Sequence, residues 1–333
     1  MSYRYFSIAS LSLVLALSAL AQQQDCATFP IGVITAAGDA AEGLTTADFA
    51  AQSKKEAVAI QSTTSDSGPR RILLVLDADR RFTAEPRKAE VEFAMGVVSS
   101  AQPGDSLALI VARGAAHEVK FGADRAALLE ALRNSTEQQK ETGKELGVLD
   151  AVAEGITWFG EPRLGDAIVV IAKDLEGNHK TNVKAVTKML EEHHIRLFGA
   201  AFGPLLLANT TTGTQQLDRE GFGYRDPGMP LYDTNADANF FPMTVNSGGY
   251  IIKGYLMPNH EQFKLTDFKK KELEKTASVM SGLIDKLYAL RIQGPMLSHS
   301  ESWTVSVNQS KLPGAHVLYP HELGTCHSSA AQK

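Results

Sequence analysis

Acidic side chains follow two apolar stretches of the sequence, and carboxylates placed in this way can bind a divalent cation. Asp77 ends the stretch 71–77, Asp79 lies two residues later, and Asp174 comes soon after the stretch 166–172. Carboxylate oxygens are the ligands that Mg²⁺ and Ca²⁺ prefer. The three acids would form such a site if the fold placed the ends of both stretches side by side.

Arg81 could neutralise the same carboxylates without a metal ion. It follows Asp79 by two residues, and a guanidinium can satisfy two carboxylates through paired hydrogen bonds without a metal ion. We therefore expect Arg81 to offset the charge of Asp77 and Asp174, so that no cofactor is needed. The alternative is that Asp77, Asp79 and Asp174 bind Mg²⁺ or Ca²⁺. In both cases these four residues define the predicted binding site.

The site depends on a sheet that the pattern of the middle of the chain predicts. Branched apolar runs at 71–77, 106–112, 166–172 and 195–201 alternate with amphipathic segments. Runs that are apolar throughout are typical of strands buried on both faces of a parallel sheet. We predict an α/β fold with a doubly wound, mostly parallel sheet, helices on both faces, and an edge strand at 117–121. Right-handed crossovers put the carboxyl ends of the parallel strands on one edge, where ligands of such sheets bind.

Small strand-like pieces flank this predicted domain on both sides. They fall in an N-terminal β segment and linker at 22–69 and in a C-terminal β extension at 286–326. The α/β domain between them takes 70–285 and includes a long insertion at 204–245, rich in Asn, Thr, Gly and aromatic residues. A loop of that length is unusual inside a compact domain. The polar residues 327–333 are expected to form a loose tail.

Alternating apolar and polar residues mark two strands in the C-terminal extension, at 288–292 and 303–307. We expect these two strands to pair with each other. The flanking strands would then form a small β module onto which the α/β domain docks. A purely structural role as an envelope scaffold follows from this arrangement as one alternative function.

The first residues have the pattern of a secretory signal peptide at 1–21. Arg4 precedes an apolar run from Ile8 to Leu20, and Ala21 completes a cleavage site with small residues at alternate positions. The run is shorter than the ~20 residues needed to span a bilayer. We expect cleavage after Ala21, a periplasmic or secreted mature protein, and no transmembrane segment in it.

The net charge and the number of cysteines indicate which class of partner the protein binds and in which cellular compartment it resides. The net charge is −5, and no basic cluster occurs beyond the lysines at 269–271, so nucleic acid is not an expected partner. The expected partner is a protein. The two cysteines, Cys26 and Cys326, lie close to the ends of the mature chain, and in an oxidising compartment such a pair can form a disulfide. The alternative is two free thiols or bonds to other chains, since the sequence gives no distance between them.

Beyond these patterns, the sequence resembles the von Willebrand factor A domain. The resemblance rests on the run 73–81, which contains Asp77, on the run 169–174, which ends at Asp174, and on the order of the elements. Further motifs are similar to a group of exported bacterial proteins related to von Willebrand factor A. These motifs are 43–49, 246–249, and 287–291 followed by Trp303. The resemblance implies an α/β domain with a ligand site at the carboxyl edge of its sheet.

In that family, a metal-ion-dependent adhesion site combines Asp-x-Ser-x-Ser with a threonine from a second loop and an aspartate from a third. Asp77 and Asp174 match the two aspartates. Asp79 and Arg81 stand at the serine positions, and Leu146 stands where the threonine is expected. Leucine supplies no oxygen ligand, and arginine is a permanent cation. The resemblance therefore implies a degenerate adhesion site.

We expect a non-catalytic, exported protein-binding or adhesion-type module whose ligand binds at this edge. The main alternative from another class is an exported Mg²⁺-dependent phosphatase of the haloacid dehalogenase type, because Leu-Val-Leu-Asp77-Ala-Asp79 also resembles the opening motif of that family. There Asp77 would be the nucleophile and Asp79 the general acid. Arg81 stands where that family has a small residue. Signatures of other enzymes, such as Gly-x-Ser-x-Gly and His-Glu-x-x-His, are absent from the sequence.

Overall fold

A computed structural model of the chain describes residues 28–53, 55–78, 84–112, 118–135, 146–172, 181–202, 240–253, 264–292 and 303–321. The strands are β1 Thr28–Ile34, β2 Phe49–Ser53, β3 Glu56–Val58, β4 Ile60–Asp66, β5 Arg71–Asp77, β6 Ser106–Ala112, β7 Glu118–Val119, β8 Ala167–Ala172, β9 Arg196–Ala201, β10 Ile251–Lys253, β11 Leu287–Ile292, β12 Trp303–Val307 and β13 His316–Leu318. The helices are α1 Ala84–Ser100, α2 Arg125–Asn134, α3 Val148–Ile156, α4 Val183–Glu192, α5 Phe240–Asn246 and α6 Asp267–Asp285. The predicted signal peptide, Cys26 and Cys326 lie outside the described residues.

Six strands form one sheet in the order β10-β9-β8-β5-β6-β7. The strand β5 lies inside the sheet and pairs in parallel with β6 and β8, and β9 and β10 continue the parallel arrangement. The short strand β7 is antiparallel and lies at one edge, where the pattern at 117–121 predicts an edge strand. The predicted fold class, a doubly wound and mostly parallel sheet, is confirmed.

The side chains of β5 explain why helices cover both faces of this sheet. Ile72, Leu74 and Leu76 pack on one face with residues of α1 and α6, whereas Leu73 and Val75 pack on the other face with residues of α3 and α4. All five side chains are buried. Because successive side chains of a strand point to opposite faces, a strand covered on both sides is apolar at consecutive positions.

The flanking strands form two smaller sheets, β13-β1-β11-β4 and β12-β2-β3. The two sheets pack face to face through aromatic rings. The centroid of the Phe29 ring in β1 lies 4.5 Å from that of Trp303 in β12, and the centroids of Phe49 in β2 and Tyr288 in β11 are 5.5 Å apart. Both pairs meet edge to face, the arrangement that aromatic quadrupoles favour. The N-terminal and C-terminal segments therefore build one β-sandwich with its own apolar core.

The α/β domain is inserted between two neighbouring strands of this sandwich. Strand β4 precedes the domain and β11 follows it, and the two pair antiparallel with Asp66 opposite Leu287. The chain thus leaves and re-enters the sandwich at one point. There the buried guanidinium of Arg70 donates hydrogen bonds of 2.7 Å and 2.9 Å to the main-chain carbonyls of Asp66 and Asp285. One side chain therefore binds both segments that connect the sandwich to the α/β domain.

A second contact between sandwich and α/β domain involves the motif 246–249. Ser247 forms an isolated antiparallel bridge with Pro320, close to the end of the sandwich. On the other side of the motif, Gly249 lies so near Leu197 in β9 that an added Cβ would be 1.7 Å from the Leu197 carbonyl oxygen. The glycine is therefore required by the close approach of two main chains within the α/β domain, and this approach fixes the position of Ser247, which pairs with the sandwich.

Two details of the predicted layout are corrected by the structure. Strand β11 lies between β1 and β4, whereas β12 pairs with β2 in the other sheet, so the predicted pairing of 288–292 with 303–307 is wrong. Alternating side chains identify a strand and its buried face, but they do not determine which strand becomes its neighbour. Within the predicted insertion 204–245, residues 240–245 belong to α5, and residues 204–239 lie outside the described ranges.

Candidate functional site

Asp77 is the last residue of β5 and lies at the carboxyl end of that strand. It is 2% exposed. On one side, β6 pairs with β5 up to Asp77 opposite Ala112, and the N–H of Ala78 donates a hydrogen bond of 2.8 Å to the Ala112 carbonyl. On the other side, β8 pairs with β5 as far as Leu76 opposite Ile171. Asp77 therefore lies between the carboxyl ends of two parallel neighbours.

The strand that leads to Asp174 is the direct neighbour of β5. Strand β8 ends at Ala172, and the N–H of Phe202 after β9 donates a hydrogen bond of 2.8 Å to the Ala172 carbonyl. The chain therefore leaves β8 toward Asp174 at the same edge at which Asp77 lies. Asp79, Arg81 and Asp174 themselves are outside the described residues. The predicted contact of the two acids with Arg81, and the alternative metal site, stay predictions.

The second loop of the predicted site, which contains Leu146, leads into α3 at this edge. Helix α3 precedes β8 in the chain, and because β8 ends at the carboxyl edge, α3 must begin there and end at the opposite edge. Leu146 lies just before the N-cap residue Gly147 and is half-buried. Its side chain has no oxygen, so the position expected to supply a hydroxyl in an adhesion site supplies none.

A hydrogen-bonded pair that the sequence did not indicate lies beside Leu146. Asp150, in the first turn of α3, accepts a hydrogen bond of 2.7 Å from the N–H of Thr181 and a second one from the Thr181 hydroxyl. Thr181 lies just before Asn182, which caps α4 through a bond of 2.8 Å from the Lys184 N–H. The pair thus joins the amino ends of α3 and α4. In the sequence, the pair is marked only by a threonine that stands before a helix cap. Such a threonine does not reveal that its partner is an aspartate 31 residues earlier in the chain.

The amino ends of these two helices influence the electrostatics of the edge. Each helix carries a partial positive charge at its amino end, which favours nearby carboxylates. Asp150 is one such carboxylate, and Asp77 lies at the same edge of the sheet. Among the described residues, no group of three or more His, Cys, Asp or Glu side chains is placed to hold a metal ion. Of the three predicted metal ligands, Asp77 is the one that lies in the described ranges. Whether a metal ion fits here therefore depends on Asp79 and Asp174, which lie outside those ranges.

At the opposite edge, charged groups join the amino ends of the strands. Arg71 begins β5 and donates hydrogen bonds to both carboxylate oxygens of Asp166, at 2.9 Å from Nε and 2.5 Å from Nη2. Asp166 directly precedes β8 and is buried. Bidentate pairing of this kind fixes the geometry of both groups. The pair therefore fastens β5 to β8 at the end of the sheet that lies away from Asp77.

Two further buried charges lie at the end of α6, near Arg70. Arg196 donates hydrogen bonds of 3.2 Å and 2.8 Å to main-chain carbonyls in the last turn of α6. Burial, together with the nearby charge of Arg70, lowers the pKa of Arg196 to about 9. Burial and the charge of Asp105 raise the pKa of Asp285 to about 6. Shifted pKa values often mark catalytic sites, but these groups contact the junction between the two domains.

No protein-family model matches the sequence, and no curated protein is significantly similar to it. Among solved structures, an aerotolerance-related membrane protein from Bacteroides fragilis is 15% identical with a TM-score of 0.41, covering 65% of this chain and 98% of that one. Proximal thread matrix protein 1 from the mussel byssus, with a zinc-occupied MIDAS motif, is 12% identical with a TM-score of 0.41, covering 70% and 50%.

A third structure, the SpRpn10 VWA domain, is 8% identical with a TM-score of 0.40, covering 64% of this chain and 98% of that one. At these identities the likeness is one of fold alone. Solved structures similar to this chain are von Willebrand factor A-like α/β folds, the fold that the sequence resemblance implied.

Proposed function

We propose that the carboxyl edge of the six-stranded sheet binds a protein ligand, without catalysing a reaction and without a divalent metal ion. The observation that carries this proposal is the position of Asp77, buried at the carboxyl end of the inner strand β5. In doubly wound sheets, ligands bind at this edge, where the strand order changes direction. Here the direction changes at β5, since β6 and β8 lie on its two sides.

Metal independence is supported by the chemistry of the residues around Asp77. Leu146 offers no ligand at the start of α3, and Arg81 follows Asp77 by four residues in the sequence. A guanidinium in the loop after β5 repels a divalent cation and binds carboxylates at the same time. The same cation and the apolar side chain of Leu146 then offer a protein ligand one charged and one apolar contact.

Export belongs to the same proposal. The apolar run between Arg4 and Ala21 has the order of a cleaved signal peptide. Cleavage would release the mature chain into the periplasm or the medium, where a partner in the envelope or outside the cell would be accessible. None of the helices in the described ranges has the length and apolarity required to cross a bilayer.

Melting of the mature chain, residues 22–333, tests metal independence. A cation present at about 100 times its Kd would stabilise the native state by roughly 2.7 kcal/mol and raise the Tm by several degrees. We expect the same Tm in EDTA and in Mg²⁺, Ca²⁺ or Mn²⁺. A rise in Tm with one of these ions, absent in Asp77→Asn, would contradict metal independence and leave binding at the edge intact.

Affinity capture from a native envelope extract tests whether a protein ligand binds at this edge of the sheet. Immobilised wild-type protein should retain a specific protein equally well in EDTA and in Mg²⁺, and Arg81→Glu should lose it. Arg163→Glu is the matched control, because Arg163 is exposed and precedes β8 at the opposite edge of the sheet. Equal capture by all three proteins would place the contact elsewhere. Phosphomonoester hydrolysis that Asp77→Asn abolishes would replace the proposal with a phosphatase.

A further inference from the structure

One exposed aromatic side chain lies outside the edge described above. Phe268 is 67% exposed, and no other large hydrophobic side chain is exposed among the residues that the structure describes. It lies in the first turn of α6, after the cap Thr266, whose side chain accepts from the Lys269 N–H. The buried side of the same helix carries Leu273, Ala277 and Met280. Phe268 therefore does not belong to the packing face of α6.

Two lysines extend the exposed side of α6 from Phe268. Lys271 and Lys275 follow it by three and seven residues, and both are exposed. Residues at this spacing lie on one side of a helix. At about 100° per residue, Asp267 and Glu274 fall on one flank of this side and Glu272 falls on the other, so that the centre of the side carries no acid. Neither lysine forms an ion pair within the described ranges. Both ammonium groups are thus available beside the ring.

Helix α6 presents these three side chains on a convex and firmly held surface. It packs along α1, where an added Cβ on Gly96 would lie 2.7 Å from the Cβ of Ala277. At their amino ends, the N–H of Leu265 before α6 donates a hydrogen bond of 3.0 Å to the carboxylate of Glu85 in α1. Since α1 follows β5, this end of both helices lies on the side of the carboxyl edge.

The shape and charge of this surface favour a planar anionic partner. A convex helix offers no groove for a peptide, whereas a bilayer interface accepts an aromatic ring among its headgroups and pairs phosphate with ammonium groups. We propose that the lipid-contact patch, formed by Phe268, Lys271 and Lys275, docks the protein peripherally on a membrane surface rich in anionic phospholipid. The proposal is independent of ligand binding at Asp77, although docking would hold that edge beside the membrane.

Sedimentation of the mature protein with vesicles tests this proposal. Binding is measured on vesicles of phosphatidylglycerol and phosphatidylcholine, and on phosphatidylcholine alone. We expect binding only to the anionic vesicles at low salt, and its loss at about 0.5 M salt, where charges are screened within roughly 4 Å. Lysine near an anionic surface contributes about fivefold to partitioning, so Lys271→Gln with Lys275→Gln should weaken binding about 25-fold. Phe268→Ala should weaken it about tenfold.

The matched control is Lys184→Gln with Lys188→Gln on α4. Both lysines are exposed, but α4 packs on the other face of the sheet, so this variant should bind vesicles as the wild type does. Equal loss in patch and control variants, equal binding to neutral vesicles, or no binding at low salt would overturn the proposal. Capture of an acidic protein that depends on the patch, without vesicle binding, would also overturn it. Asp77→Asn should bind vesicles normally, which separates this result from the test of the sheet edge.

Discussion

The Nη2 of Arg70 lies 2.9 Å from the main-chain carbonyl oxygen of Asp285. This hydrogen bond links the point where the chain enters the α/β domain to the point where the chain leaves it. The same guanidinium contacts both the carbonyl and the carboxylate of Asp66 at the end of β4. A buried cation with several acceptors is costly to remove, because each acceptor loses its partner.

Arg70→Ala should therefore destabilise the protein strongly. Removal of one partner of a buried pair costs about 3–5 kcal/mol, and the free energy of unfolding in urea measures it. Arg163→Ala, which removes an exposed arginine at the same edge of the sheet, should change the free energy of unfolding by less than about 0.5 kcal/mol. Similar values for both variants would show that Arg70 does not hold the junction.

Asp285 should make stability depend on pH. Burial and the charge of Asp105 raise its pKa to about 6, so the folded state binds a proton more readily than the unfolded chain does. The stability that this group contributes is present below the ordinary carboxyl pKa and is lost as the pH rises through about 6. Asp285→Asn removes the cost of ionisation, so its stability relative to the wild type should increase from pH 5 to pH 7.5.

Urea unfolding of both proteins at the two pH values measures this difference. Asp267→Asn serves as the control, because Asp267 is an exposed acid at the other end of α6. A difference between Asp285→Asn and wild type that stays constant with pH would refute the assignment.

Thr181 should contribute to the edge of the sheet through its hydroxyl. Thr181→Val keeps the N–H that lies 2.7 Å from Asp150 but removes the hydroxyl donor. Hydrogen bonds to charged groups contribute about 1.5–3 kcal/mol, and partial exposure places the expected loss near the lower value. Thr181→Ser keeps the donor and should retain most of the stability. Equal urea midpoints for the two variants would exclude a role for this hydroxyl.

Two glycines should respond in opposite ways to alanine. At Gly249 an added Cβ would lie 1.7 Å from the Leu197 carbonyl oxygen, so Gly249→Ala must push two main chains apart and should cost at least about 3 kcal/mol. At Gly282, inside α6, no atom beyond the helix's own backbone lies within 4 Å of an added Cβ. There alanine should stabilise the helix by roughly 0.5–1 kcal/mol. Thermal melting of both variants gives the comparison, and a stable Gly249→Ala would contradict the close approach.

The mature protein should begin at Gln22 and contain a disulfide between Cys26 and Cys326. In the chain-entropy model, closure of so long a loop stabilises the native state by about 5.7 kcal/mol. The intact mass of protein prepared from the exported fraction, after alkylation with and without reduction, tests both statements. Two alkyl groups should be added only after reduction. Full alkylation of the unreduced protein would mean free thiols, and a retained N-terminus would mean an uncleaved leader.

The sequence predicts the six-stranded sheet well because strands buried on both faces are apolar at successive positions, which is easily recognised. The runs of β5 and β8 are apolar at consecutive positions, and their parallel pairing follows from the helices between them. The pairing of β11 with β1 and β4 could not be predicted, because alternation does not specify a partner. Arg70 and the Asp150–Thr181 pair were also missed, since each joins positions far apart in the chain and neither residue type is unusual in its local sequence.

The insertion of the α/β domain between β4 and β11 has a consequence for how the protein acquires its structure. Strands β1 to β4 are synthesised first, but the sheet to which β1 and β4 belong lacks β11, the strand between them, until the entire α/β domain has followed. The α/β domain is continuous in sequence, so it can fold while the sandwich is still open. Its folded ends then bring β4 and β11 together and reduce the entropy lost in closing that long loop. The α/β domain thus acts as the template on which the sandwich is completed, and damage to its core should leave both units unfolded.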